Sequence, residues 1–384
     1  MREVLDELLR WWRAGQPVAM ATVTGTWRSA PRPAGATMLV GPDGTAVGSV
    51  SGGCVEADVY ELCQQVQVSG EPRTARYGVS DDDAFAVGLT CGGIIDVFVE
   101  RVDRDRFPEL PEVAAAITAE RPAAAVTCIE GPAGRLGRHL MVTADGCLGT
   151  LGSARIDAAV ADDARGMLAL GSTGPLHYGV DGQRRGSGLT VLVSAFAPRP
   201  RMIVFGAIDF AAAVARVGVF LNYRVTVCDA RPTFATPRRF PDASEVVVDW
   251  PHRYLAAEAE AGRTDERTVV CVLTHDPKFD VPVLRVALDL PLAYVGAMGS
   301  RRTHDERMTR LREAGVPESA LARLASPIGL NLGARTPEET AVSIAAEIIA
   351  NRWGGNGGPL SSATGRIHRD PAAPTRVNRR PPGT

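Results

Sequence analysis

From residue 202 onward the chain alternates in a way that few folds can accept. Apolar runs at Met202–Phe205, Arg224–Cys228, Glu245–Val248, Thr268–Leu273 and Leu292–Val295 are each followed by a stretch with helical spacing. Short apolar runs separated by helices predict strands covered on both faces and joined by crossover helices, which is a doubly wound parallel sheet of the Rossmann type. The last helix is marked by Thr336-Pro337-Glu338-Glu339, which supplies an N-cap, a proline at the first helical position and a capping-box glutamate.

The earlier part has a different texture. Residues 1–14 read as an amphipathic helix, and strands are expected at Val18–Val23, Ala36–Val40, Thr45–Val50, Thr74–Tyr77, Ile94–Arg101, Ala124–Ile129, Leu140–Thr143 and Leu189–Phe196. A helix should follow Ser51-Gly52-Gly53 and run to about Val68, with others near Leu110–Ala119 and Ile156–Ala169. The fold class is therefore α/β: a mixed α+β domain at the N-terminus (1–196) and a Rossmann-like domain at 202–352. Ala197-Pro198-Arg199-Pro200-Arg201 reads as a proline-stiffened linker, and 353–384 as a flexible tail poor in apolar residues. No internal repeat is evident.

Composition narrows the function classes. A net charge of −2 leaves no positive excess for a nucleic-acid backbone. No apolar run approaches the roughly 20 residues a membrane span needs, and the first residues lack the apolar stretch of a signal peptide. Seven cysteines without a CxxC pair argue against a disulfide scaffold and for a reducing cytoplasm.

The turn after the first strand of the second half is Gly206-Ala207-Ile208-Asp209, with Asp229 ending the next strand. This is the setting of a dinucleotide fingerprint, where glycines admit a pyrophosphate and an acid grips a ribose. The second glycine is replaced by Ile208, whose side chain should obstruct the phosphates, and Asp209 adds a negative charge there. A dinucleotide is thus one candidate ligand, and a shell reused for another purpose is the other. His275 and Gly299-Ser300 follow two further strands, on the edge where such sheets bind ligands.

Two cysteines stand apart. Cys54 follows Gly52-Gly53, and Cys91 precedes Gly92-Gly93. Glycine pairs let backbone approach a ligand, and a thiol at a helix N-terminus favours its thiolate, a soft metal ligand. Cys63, Cys128, Cys147, Cys228 and Cys271 lie in apolar surroundings and are expected in the core. Arg28 and Arg32 share a loop suited to clamping a phosphate or carboxylate.

Residues 29–35 (SAPRPAG), 48–59 (GSVSGGCVEADV) and 90–100 (TCGGIIDVFVE) resemble the N-terminal domain of the XdhC/CoxI family, the xanthine dehydrogenase accessory factors. Residues 273–280 (LTHDPKFD), 294–303 (YVGAMGSRRT) and 326–339 (SPIGLNLGARTPEE) resemble that family's Rossmann domain. The resemblance spans residues 3 to 352. It implies a cytoplasmic, homodimeric chaperone that binds molybdenum cofactor, protects it, lets a sulfur donor protein act on it, and passes it to a client molybdenum hydroxylase. It also implies that Cys54 or Cys91 holds the cofactor, possible contacts for the molybdenum itself. One departure is plain: most relatives have a GAGH-like turn where this chain has Gly206-Ala207-Ile208-Asp209. Two enzyme readings compete, an NAD(P)- or FAD-dependent oxidoreductase and a molybdenum hydroxylase in its own right. Against the second, the chain has no cysteine spacing for an iron–sulfur cluster.

Overall fold

The structure is a computed structural model that describes residues 1–27, 30, 32–78 and 93–363. The chain forms two compact units, one spanning Met1–Pro198 and the other beginning at Arg199.

In the first unit α1 (Leu5–Arg13) leads into β1 (Val18–Trp27), β2 (Thr37–Val40), β3 (Ala46–Gly48), α2 (Glu56–Ser69), β4 (Arg73–Tyr77) and β5 (Ile94–Val102). Then α3 (Leu110–Thr118) starts the series again with β6 (Ala123–Glu130), β7 (His139–Val142), β8 (Cys147–Gly149), α4 (Ala154–Leu170), β9 (Gly174–Gly179) and β10 (Gly188–Phe196). The strands make two antiparallel five-stranded sheets, ordered β3-β2-β1-β5-β4 and β8-β7-β6-β10-β9. The order is the same in both, so the unit is a tandem repeat, and the expectation of no internal repeat is corrected.

Strand register shows which residues correspond. Thr37 lies opposite Thr22 as His139 lies opposite Thr127, and Glu100 opposite Met20 as Ser194 lies opposite Ala125. Both long helices end on a glycine in the left-handed region, Gly70 at φ 71° and Gly171 at φ 64°. One face of each sheet is covered by its own helix, through Val59, Cys63 and Val66 of α2 and Ile156, Val160 and Ala164 of α4. A third core is shared between the copies, with α1 and α3 contributing Leu8, Trp11, Leu110 and Val113 against Met20 and Met141.

The second unit runs β11 (Arg201–Phe205), α5 (Asp209–Phe220), β12 (Arg224–Asp229), β13 (Glu245–Val248), α6 (Pro251–Glu260), β14 (Val269–Val272), α7 (Pro277–Asp289), β15 (Tyr294–Ala297), α8 (Arg301–Glu313), α9 (Glu318–Leu321), β16 (Leu324–Ala325) and α10 (Pro337–Trp353). All six strands are parallel, in the order β13-β12-β11-β14-β15-β16. That is the dinucleotide-fold order, and its reversal between β11 and β14 leaves a crevice at their carboxyl ends. Separate apolar cores fill the two faces, one around Val204, Val214 and Ile344 and the other around Phe205, Leu255 and Leu284. The anticipated capping box of α10 is present in full. Among the described residues no helix is long and apolar enough to cross a membrane.

Candidate functional site

The Cys54 loop is organised by one carboxylate. The helix expected after Gly53 begins at Glu56, so residues 51–55 form a bend ahead of it. Glu56 turns back into that bend. It accepts the N–H of Ser51 (2.9 Å), Gly52 (3.0 Å), Gly53 (2.8 Å) and Val55 (3.2 Å), together with the hydroxyls of Ser49 and Ser51. Ser51 Oγ in turn accepts the N–H of Cys54 and of Val55. Burial works against the Glu56 charge, but the donated hydrogen bonds from Ser49, Ser51 and the backbone outweigh it and hold its carboxyl at about 2.

This arrangement changes the expectation for the glycine pair. The N–H groups of Gly52 and Gly53 already serve an internal anion, so the backbone donors are not aimed at a ligand. What the glycines leave clear is space. Both have positive φ, 82° and 118°, and a methyl group on either would meet nothing within 4 Å among the described residues. Cys54 beside them is half-buried. The second repeat has the same clasp, with Asp157 accepting from Thr150 Oγ1 and Leu151 N, both at 2.7 Å. There Ser153 caps α4 at once and Ala154 begins the helix. The exposed diglycine and its cysteine belong to the first copy alone.

The Rossmann-type turn is occupied in a similar way. Gly206, at φ 110°, brings the chain so near Thr274 that a methyl group there would lie 3.1 Å from the Thr274 nitrogen. Asp229 reaches back from β12 to accept the Ala207 N–H at 2.7 Å and pairs with both arms of Arg231 at 2.9 and 2.7 Å. Burial raises the cost of its charge, yet Arg231 and the two backbone donors keep its carboxyl below the usual range. Arg239 ties the same turn by donating to the Ala207 carbonyl and to Asp209. The Ile208 side chain is partly buried against the core. The Asp229 carboxylate, the candidate ribose partner, faces Ala207 and Arg231.

At the carboxyl ends of β14 and β15, a buried ion pair holds several loops together. Arg307 donates to Asp280 (2.9 Å), to the Met298 carbonyl (2.7 Å) and to Ser326 Oγ (3.0 Å), and Thr274 donates to Asp280. Asp280 and Arg307 side chains are each 3% exposed. Burial pushes the Asp280 carboxyl above its ordinary value despite these partners. The network fixes the loops that carry His275, which is exposed, and Gly299 and Ser300, where Ser300 caps α8 by accepting the Thr303 N–H.

Other anticipated residues are placed as follows. Gly93 is buried, whereas Arg28, Cys91 and Gly92 lie outside the described residues. Arg32 is engaged by Glu3 at 2.6 Å. Burial pushes the thiols of Cys63 and Cys271 up to about 12 and that of Cys128 to about 11, and raises Cys228 as well, so these four are core thiols. Cys147 departs from the expectation: it is exposed on β8, near Arg165. A three-residue strand at the end of a sheet has too little cover to bury it. The sequence reading missed Glu56, Ser51, Arg231, Asp280 and Arg307. Glu56 had a readable signal, an acid in the first turn after a Ser/Gly run. Among the described residues no group of three His, Cys, Asp or Glu side chains is set to hold a metal ion.

The two units thus define a class: a tandem α+β repeat bearing a glycine-cysteine loop, followed by a Rossmann unit with a carboxylate-filled turn. Residues 11–78 and 116–179 match the XdhC and CoxI family, and residues 202–348 match the XdhC Rossmann domain. The chain belongs to the XdhC and CoxI family. It is 30% identical over 354 residues to a Bacillus subtilis protein named as a probable component of xanthine dehydrogenase, covering 91% of this chain and 96% of that one. It is 26% identical over 339 residues to the molybdenum cofactor insertion chaperone PaoD of Escherichia coli, covering 88% and 85%. A solved structure described as a xanthine dehydrogenase from Bacillus halodurans matches with a TM-score of 0.65 and 27% identity, covering 94% of this chain and 97% of that one.

Proposed function

We propose that this protein is a maturation factor that holds molybdenum cofactor at the Cys54 loop and passes it to an apo molybdenum hydroxylase such as a xanthine or carbon monoxide dehydrogenase. The observation that carries the reading is the space over Gly52 and Gly53, clear of the described residues, held by Glu56 beside a half-buried thiol and lacking in the second repeat. Backbone without side chains admits a broad planar ligand, and a thiolate is a soft ligand suited to molybdenum. Cys54 would hold the metal end, with Cys91 its possible partner and the Gly52-Gly53 backbone lying against the cofactor. Glu56 and Ser51 keep that stretch in shape. Similarity to a chaperone named for molybdenum cofactor insertion supports the same cargo. A sulfur donor protein, a homodimeric state and a cytoplasmic setting complete the proposal.

Anaerobic purification with cofactor tests it, by measuring molybdenum and pterin per chain in wild type, Cys54→Ala and Cys91→Ala. Cofactor should co-purify with wild type and fall in at least one variant while the fold persists. Equal occupancy in all three removes the thiol anchor. A xanthine turnover assay with no added client should show no activity, which separates this reading from a hydroxylase.

A further inference from the structure

The tandem repeat provides an internal control, because each side chain of one copy can be compared with its counterpart in the other. At the seam between the two sheets this comparison isolates a buried polar group with no counterpart in the other copy, in which His139 also stacks on Phe107 and bonds Thr127. His139 on β7 and Glu100 on β5 pair across the sheets at 3.0 Å, with side chains 2% and 4% exposed. Their counterparts by register are Thr37 and Ser194. Glu109 is the N-cap of α3, and its counterpart before α1 is Val4. Both sit over equivalent glycines: the Val4 side chain against Gly48, the Glu109 carboxylate against Gly149. Val4 is buried and apolar, whereas Glu109 Oε2 is buried with no hydrogen-bond partner among the described residues.

An unpartnered buried carboxylate oxygen costs stability, and a buried acid–imidazole pair seldom repays its desolvation. At the equivalent positions the other copy uses shorter or apolar side chains, Val4 and Thr37 in the first copy and Ser194 in the second. Glu100, Glu109 and His139 line one cavity of about 470 Å³, whose rim carries Arg106 and Arg138 along with Asp105. We propose that this cavity is a ligand site for a small amino-heterocycle carrying an anionic group. Ring and exocyclic N–H groups would supply the donors that the Glu109 carboxylate lacks, and the rim guanidiniums, which already donate to the Gly70 and Gly134 carbonyls, keep further N–H groups for the anion. None of its lining residues belongs to the Cys54 loop, so the inference goes beyond the proposed cargo site and stands independently of it.

Guanosine monophosphate is the probe, titrated calorimetrically into the full chain beside guanosine, which lacks the phosphate, and inosine monophosphate, which lacks the exocyclic amine. Guanosine monophosphate should bind at sub-millimolar concentration, and each comparator at least about tenfold more weakly, because a site built for a polar group rejects its absence. Glu109→Val places the residue of the first copy in the second. It should lose binding at least about tenfold while its melting temperature holds or rises, since an orphaned carboxylate is removed. Three results overturn the proposal: no binding by wild type, undiminished binding by Glu109→Val, or a lowered melting temperature in that variant, which would make Glu109 structural.

Discussion

Glu56 accepts the Gly53 N–H at 2.8 Å, across the bend that carries Cys54. A side chain on the first helical turn thereby replaces the ligand that a diglycine of this kind is expected to greet. Asp229 does the same for the Rossmann-type turn, through the Ala207 N–H at 2.7 Å. In both places a preformed anion cradle is filled from within.

The Glu56 clasp should be visible in pH titration. Its carboxyl sits at about 2 when folded against an ordinary 4.5, so the folded state holds its proton less readily than the unfolded chain. The stabilisation is therefore full above pH 4.5 and is lost as pH falls toward 2. Discounted for solvent screening, it is on the order of 1–2 kcal/mol. Glu56→Gln should lower stability at pH 7 by about that amount and flatten the acid limb between those two values. Denaturant melts of both proteins across pH 2–7 measure it, and parallel curves would remove the charge from the account.

Glycines divide into two kinds, and alanine substitution should separate them. A methyl group on Gly149 would lie 2.6 Å from the His139 carbonyl oxygen, and one on Gly48 would press on the Thr37 carbonyl at the equivalent place. Gly149→Ala and Gly48→Ala should each cost more than about 2 kcal/mol, from overpacking added to a positive φ. Gly52→Ala and Gly53→Ala meet no neighbour among the described residues, so the backbone conformation opposes them, at about 1–2 kcal/mol. Thermal melts rank the four. The second pair should also lower cofactor retention more than stability alone explains, if cargo lies against that backbone.

Legibility from sequence followed the reach of each signal. The parallel sheet could be read because its first five strands each carry an apolar run, as at Val269–Val272, whereas the two-residue β16 was missed; the capping box of α10 lies within four consecutive residues. The tandem repeat could not. Its copies share strand order and glycine geometry, yet Met20 corresponds to Ala125 and Thr37 to His139, so residue identity hides the match. Short strands such as Cys147–Gly149 have no periodicity to find. The candidate residues Cys54, Gly52 and Gly53 were legible from composition of the loop. What they do was not, because Glu56 and Asp229 act through backbone donors whose direction is set only on folding.

The filled turn should also decide the nucleotide question. Asp229 is 2% exposed and committed to Ala207 and Arg231. A dinucleotide would have to displace that carboxylate from its donors. A fluorescence titration of the full chain with NADH should therefore show no saturable binding below about 1 mM, an affinity worth only about 4 kcal/mol. Micromolar binding would restore the oxidoreductase reading. Asp229→Ala should cost about 1–3 kcal/mol by stranding those donors.

Arg307 and Asp280 form the buried pair most exposed to test, since each is 3% accessible and they bond at 2.9 Å. Arg307→Met leaves an uncompensated buried carboxylate and should cost about 3–5 kcal/mol at neutral pH. The double variant Asp280→Asn/Arg307→Met removes both charges and should cost less than the single one, giving a favourable coupling in the double-mutant cycle. The sign of the pH effect follows from burial, which already raises the Asp280 carboxyl above its ordinary value. An acid raised in this way takes up its proton more readily folded than unfolded, so the deficit of Arg307→Met should shrink as pH falls through the acid range. Urea melts at pH 7 and pH 4 measure both effects. A deficit that grew with acidity would mean that Arg307 stabilises the loops through Met298 and Ser326, independently of Asp280.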